Sequence, residues 1–168
     1  GDSLMAGYGL PNEQHLSVVL QKSLEFDGHN IEIINGSVSG STSAGGLNIA
    51  EWTLSENNID LMILCLGAND MLRGINPKET KNNLEEIIEI AKNKNIKVII
   101  AGMIAPTSYG YAYKKSFDKI FSDLSKKHKL QLIPFLLEGV AQKPEFNLSD
   151  GMHPNDQGTI IIGNTLKK

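Results

Sequence analysis

Leu61-Met62-Ile63-Leu64-Cys65-Leu66 sets six apolar residues in succession, with no polar residue at alternate positions. A strand with one wet face alternates apolar and polar side chains, so an unbroken run points to a strand covered on both faces. Such strands belong to parallel sheets flanked by helices, and the sequence on either side fits that frame. Downstream, Asn76 and Pro77 pair an N-cap with a first-turn proline and open a helix to Asn93, with Leu84, Ile87, Ile88 and Ala91 on one face. Ile96–Met103 is the next strand, 110–128 a helix, Leu130–Ile133 a short strand and 155–167 a closing helix. Upstream, Asn12 reads as the N-cap of a helix over 13–26, with Leu16, Val19, Leu20 and Leu24 at helical spacing. Ile31–Ile34 is a brief strand, 35–43 a Gly/Ser-rich loop, and 44–56 another helix.

Strands alternating with helices pair in parallel through right-handed crossovers. The expected fold is therefore α/β, a three-layer α/β/α flavodoxin-like sandwich with a parallel sheet in the order 2-1-3-4-5, formed by a single domain over 1–168. The chain opens at Gly1 rather than Met, and Gly1 is expected to sit just past a first strand supplied by residues upstream. That strand would lie between 31–34 and 61–66; without it the sheet would carry a gap in need of repair. The lack of a leader at Gly1 says nothing of compartment.

Composition narrows the function classes. The 168 residues, 40% of them hydrophobic, suffice for one core. A net charge of −3 argues against a nucleic-acid partner, which would show a basic stripe. No run approaches the ~20 apolar residues of a membrane-spanning helix. Cys65 is the lone cysteine, so no internal disulfide can form. Oligomeric state is left open.

In a parallel sheet, functional groups gather beyond the carboxyl ends of the strands. Ser3 would follow the first strand, Gly40 the second, and Asn69 the strand at 61–66, while Asp150 and His153 fall in the loop before the last helix. A serine hydroxyl is a weak nucleophile and needs a base within hydrogen-bond reach. His153 stands near a carboxylate in a polar, Gly-containing loop, Asp150-Gly151-Met152-His153-Pro154. The spacing lets Asp150 hold Nδ1 while Nε2 faces Ser3. An oxyanion needs donors aimed at its developing charge, and the backbone N–H groups of Ser3 and Gly40 with the side-chain amide of Asn69 are the candidates.

Gly1-Asp2-Ser3-Leu4, Asn35-Gly36-Ser37-Val38-Ser39-Gly40, Gly67-Ala68-Asn69-Asp70 and Asp150-Gly151-Met152-His153-Pro154 resemble, in order, the four sequence blocks of the SGNH/GDSL hydrolases. Each block alone is weak; four in register over nearly the whole chain are specific. Ala105-Pro106 through Tyr109-Gly110, and 133–140, look like the arylesterase, acyl-CoA thioesterase and lysophospholipase branch. The resemblance implies hydrolysis of an ester or thioester through an acyl-serine, with no metal or organic cofactor. Ser3 would attack, His153 would take and return the proton, and Asp150 would orient it. The departure lies at the front, where family members carry the strand that presents the serine. The segment 71–75 follows Asn69 and is expected to border the acyl pocket through Met71 and Leu72, with Ile104, Pro106 and the Tyr109/Tyr111 pair as the other wall. The substrate expected is a small acyl ester of short-to-medium chain length.

Plainer readings stand beside these. Asp2 fits a turn-former better than a second acid, Gly40 also suits a positive φ, and Asp70 reads as structural. Asp150-x-x-His153 is half a metal site without a companion. His15, His29 and His128 are read as surface groups, Trp52, Phe121 and Cys65 as core, and the lysines at 126–129 and 167–168 as solvated helix ends. The rivals are a carbohydrate acetylesterase, a catalytically silent binding module of the same fold, and a nucleotide binder. Residues 1–9 lack the phosphate-cradling pattern that the last would need.

Overall fold

The computed structural model describes residues 1–55 and 58–167. Glu56, the last residue of the helix expected over 44–56, and Lys168 lie outside them. Two compact units emerge: Gly40–Phe135, and Gly1–Ser39 joined with Leu136–Lys168.

The central unit carries the sheet. Its strands β1 (Leu61–Leu64), β2 (Lys97–Ala101) and β3 (Gln131–Ile133) run parallel in the order β1-β2-β3. Ile63 stands opposite Ile99, and Ile99 opposite Gln131. These are the consecutive positions 3-4-5 of the expected order. The crossovers are α5 (Pro77–Asn93) and α6 (Tyr111–His128), which pack against each other and against β2. The cap at α5 forms as expected: Asn76 accepts from the Lys78 N–H, with Pro77 in the first turn. Leu84, Ile87, Ile88 and Ala91 are all buried along one side. Phe117, Ile120, Phe121 and Leu124 do the same on α6.

α3 (Ser43–Thr53) packs beside α5, and here one expectation fails. Trp52 is not core; it is 80% exposed. The helix approaches through small residues instead: a Cβ on Gly46 would stand 2.2 Å from the Leu66 side chain, and Ala50 is buried one turn on. Two residues beyond Ala50 is about 200° around a helix, so Trp52 points away.

His128 is not a surface group either. Its side chain is only 4% exposed, with Nε2 2.6 Å from Glu85 and Nδ1 3.2 Å from Glu89. Lys127 also reaches Glu85, at 2.6 Å. The bonds from Lys127, then from His128, hold the Glu85 carboxyl below the usual range. This clasp ties the end of α6 to α5.

In the other unit, α2 (Leu16–Phe26) packs on α7 (Asp156–Leu166). Leu16, Leu20 and Ile162 are buried in this contact, as is Gly163 on α7. Lys167 is anchored rather than free at this end, bonding Asp27 and Ser23. Asn12 does not cap α2. Residues Asn12–Gln14 form a separate 3-10 turn, and α2 begins only after His15, whose backbone is extended. His15 is held there because its ring nitrogen bonds the Leu10 carbonyl at 3.0 Å, so it too is no mere surface histidine.

Ile31–Ile34 forms no strand. A strand exists through a hydrogen-bonded neighbour, and 31–34 pairs with none among the described residues. Side chains and turns hold this stretch instead: the Ile33 N–H donates to Gln21, the Asn35 amide to the Met5 carbonyl, and the Val38 N–H to the Gly1 carbonyl. No helix among the described residues is long and apolar enough to cross a membrane.

Candidate active site

Ser3 opens α1 (Ser3–Ala6), a helix one turn long. It forms because Asp2, with extended backbone, accepts from the Leu4 N–H at 3.1 Å, and because Gly7 ends it at φ 84°. The buried Asp2 carboxylate is engaged in this cap, which is the turn-forming role its residue type suggests.

His153 is presented by a loop held shut at its base. Asn147 and Pro154 form an antiparallel bridge, and the Leu148 N–H donates to the His153 carbonyl at 2.8 Å. The Asn147 amide bonds the Val140 and Lys143 carbonyls at 2.8 and 2.7 Å. Asn155 caps α7 by accepting from the Gly158 N–H at 3.0 Å. Gly158 is required there, since a Cβ would stand 2.2 Å from the Phe146 carbonyl oxygen.

These two pieces bring Ser3, His153 and Asp150 together within one unit. His153 Nε2 lies 3.0 Å from Ser3 Oγ, and Nδ1 lies 2.6 Å from Asp150 Oδ2. The other carboxylate oxygen accepts the backbone N–H groups of Met152 and His153 at 2.9 and 3.0 Å. The backbone bond from His153 first, then its ring and the Met152 amide, pull the Asp150 carboxyl down to about 2. Ionised Asp150 makes Nδ1 the donor, which leaves Nε2 to accept the Ser3 hydroxyl proton. A hydroxyl thus faces a base whose tautomer is fixed from behind, the arrangement that nucleophilic acyl transfer uses.

The remaining expected residues lie in the central unit. Gly40 has φ 78°, and its carbonyl accepts from the Arg73 guanidinium at 2.9 Å. Asn69 sits in α4 (Ala68–Leu72), which follows Gly67 at φ 118°. The Arg73 N–H donates to the Asn69 carbonyl at 3.1 Å, so one arginine is tied to both segments. Composition and spacing give no sign of this, because a guanidinium–carbonyl bond across 33 positions leaves no pattern. Asp70 is structural, as its residue type suggested: fully buried, it accepts from the Ser43 N–H and hydroxyl and from the Thr80 hydroxyl.

Met71 is half-buried, Pro106 exposed, and Leu72 and Ile104 expose 49% and 45% of their surface. Tyr109 and Tyr111 do not form a pair. Tyr109 stacks on Tyr113 at 5.5 Å, while Tyr111 is 78% exposed beside Lys115. The two stand on different elements: Tyr109 ends a 3-10 turn over Thr107–Tyr109, Gly110 at φ 86° turns the chain, and α6 begins at Tyr111. The Tyr113 hydroxyl donates to the Ile75 carbonyl at 3.0 Å, and burial, reinforced by the Asp70 charge, holds its phenol above the ordinary range.

Residues 1–159 match the GDSL-like Lipase/Acylhydrolase family. The chain belongs to that family. Among its relatives is an arylesterase of Vibrio mimicus, 38% identical over 157 residues that cover 94% of this chain and 78% of the relative. Another is the thioesterase 1/protease 1/lysophospholipase L1 of Escherichia coli strain K12, 31% identical over 168 residues, covering 100% and 79%. The psychrotrophic esterase EstA of Pseudoalteromonas sp., solved in a form inhibited by monoethylphosphonate, superposes with TM-score 0.93 at 30% identity, covering 99% of this chain and 91% of that one. This GDSL hydrolase is accordingly a carboxylic ester hydrolase of the serine type.

Proposed function

We propose that Ser3 is the nucleophile, His153 the general base and Asp150 its orienter, in the hydrolysis of short-to-medium acyl esters. The observation that carries this reading is the line of bonds from Ser3 Oγ to His153 Nε2 and from Nδ1 to Asp150, at 3.0 and 2.6 Å. In the first half-reaction, the Ser3 hydroxyl passes its proton to Nε2 as the oxygen bonds the acyl carbon. The tetrahedral oxyanion is taken by the N–H groups of Ser3 and Gly40 and the amide of Asn69, donors that in comparable sites are each worth ~10²–10³ in rate. Collapse returns the proton from His153 to the departing alkoxide. Water, giving its proton to His153, then attacks the acyl carbon, and that proton passes from His153 to the Ser3 oxygen as the acid leaves. No step calls for a metal or organic cofactor.

Met71, Leu72, Ile104, Pro106 and Tyr109 are proposed to contact the acyl chain. Support comes from the apolar surface that Leu72 and Ile104 leave exposed. The names of the Vibrio and Escherichia relatives support aryl esters, acyl thioesters and lysophospholipids as the substrate types to try. The reading takes 1–168 as one hydrolase domain, which the family match supports by running through both compact units.

The test is a series of p-nitrophenyl esters from acetate to palmitate, with Ser3→Ala as the blank. The reading expects kcat/KM to peak at a short or medium chain and to vanish in the variant. Cleavage of acetylated carbohydrate alone would contradict it.

A further inference from the structure

The Tyr8 ring lies against the imidazole of His153, the centroids 4.4 Å apart and the planes tilted by 36°. The turn that sets it there is fixed from three sides. The N–H groups of Gly7 and Tyr8 both donate to the Ser3 carbonyl, so Tyr8 is tied to the residue that carries the hydroxyl. The His15 ring occupies the space that a Gly7 side chain would need, with a Cβ there only 2.3 Å from it. On the third side Gly9 meets Leu148, where a Cβ would stand 2.7 Å from Cδ1. Leu148 in turn donates its N–H to the His153 carbonyl. The turn 7–10 therefore grips the loop that presents the imidazole.

The bonds from His153 to Ser3 and to Asp150 both use ring nitrogens, so they lie in the imidazole plane. They leave the faces of the ring unheld. Tyr8 covers one of those faces, and 53% of its own surface remains open. Among the described residues of this unit, the imidazole meets the Asp150 carboxylate from its own loop, the Tyr8 ring from the turn after α1, and the Ser3 hydroxyl.

Resting on the reading of Ser3 and His153 given above, we propose that Tyr8 is a positioning residue for His153, holding the imidazole plane and stabilising the imidazolium that forms when Ser3 gives up its proton. A cation within ~6 Å of a ring face is drawn to the negative quadrupole of that face, and a neutral ring is drawn far less. The contact therefore strengthens as the proton moves, which is the condition for lowering a barrier rather than merely binding.

Hydrolysis of p-nitrophenyl acetate from pH 5 to 9 by Tyr8→Phe and Tyr8→Leu tests this, with Ser3→Ala as the blank. Tyr8→Phe keeps the ring face and is expected within about 2-fold of the parent enzyme. Tyr8→Leu is expected to lose about 2- to 5-fold in kcat with KM unchanged, the size of a cation–π contact at a partly exposed site. Its acid limb of kcat/KM should move down by roughly half a pH unit. A merely structural role would not move that limb. If Tyr8→Leu melts below the assay temperature, Tyr8→Trp carries the test, with its stronger quadrupole moving the limb up. Unchanged kcat and limb, equal losses in the Phe and Leu variants, or a loss confined to KM would each overturn the proposal. If the parent and Ser3→Ala hydrolyse equally, the reading of Ser3 fails instead. Tyr8 is then judged by NMR: titration of the His153 ring protons at the same pH with and without the tyrosine ring overturns it, and a lower midpoint in Tyr8→Leu sustains it.

Discussion

Asp150 holds His153 from two directions: one carboxylate oxygen meets Nδ1 at 2.6 Å, and the other takes the His153 backbone N–H at 3.0 Å. A side chain bonded to both ends of the same residue fixes the loop and the ring together. Replacing one carboxylate oxygen by an amide nitrogen reverses the preference at Nδ1, and the proton moves to Nε2, where it opposes the Ser3 hydroxyl. Asp150→Asn is therefore expected to lower kcat by on the order of 10³- to 10⁴-fold, the loss a wrong tautomer brings in serine hydrolases. KM should stay within about threefold. Steady-state kinetics at pH 8 checks both.

The same carboxyl sets a pH window for stability. Its folded value, about 2, lies below the ~3.9 of an unfolded aspartate. A depressed carboxyl contributes fully above the unfolded value and loses its contribution as pH falls through the folded one. The Tm difference between the parent chain and Asp150→Asn should thus persist at pH 5 and close between about pH 4 and 2. A gap that closes near pH 6 would place its origin in another group.

Asp70 anchors the central unit. It accepts three bonds from Ser43 and Thr80, which come from α3 and α5, and all three residues are fully buried. Asp70→Ala removes the acceptor and leaves buried donors without a partner, a loss of about 2–4 kcal/mol. Urea denaturation should show it as a lowered midpoint with an unchanged slope.

Gly7 is required for two separate reasons, its φ of 84° and the His15 ring against it. The left-handed conformation alone disfavours a side chain by roughly 1–2 kcal/mol. The steric part should depend on His15, so Gly7→Ala is expected to be less damaging in a His15→Ala background than in the parent. A double-mutant cycle on thermal stability measures the coupling.

How much of this the sequence discloses depends on the range of the interaction. The strand that begins at Leu61, ending at Leu64 rather than Leu66, the cap at Asn76 with Pro77 and the apolar face of α5 are local patterns, and each reads directly from spacing. That Ser3, Asp150 and His153 meet is legible because a hydroxyl, a base and a carboxylate of the right types stand in motif order. What escaped was non-local. His128 meets Glu85 from 43 positions away, so its tail of lysines suggests solvent while its ring is buried. Trp52 misleads because α3 packs through Gly46 and Ala50, and apolar spacing gives no weight to glycine. Residues 31–34 carry the composition of a strand, but composition cannot supply a partner. α1 and α4, which carry Ser3 and Asn69, are too short for any helical period to appear.

A Ser3 hydroxyl activated by His153 reacts with electrophiles that other serines do not meet. Labelling with a fluorophosphonate probe, followed by peptide mass mapping, tests it most directly. One modified peptide is expected, bearing the adduct on Ser3, with no labelling of Ser3→Ala and labelling slowed by at least about 10³-fold in His153→Ala. An adduct on another serine, or equal labelling of the parent and Ser3→Ala, would contradict it.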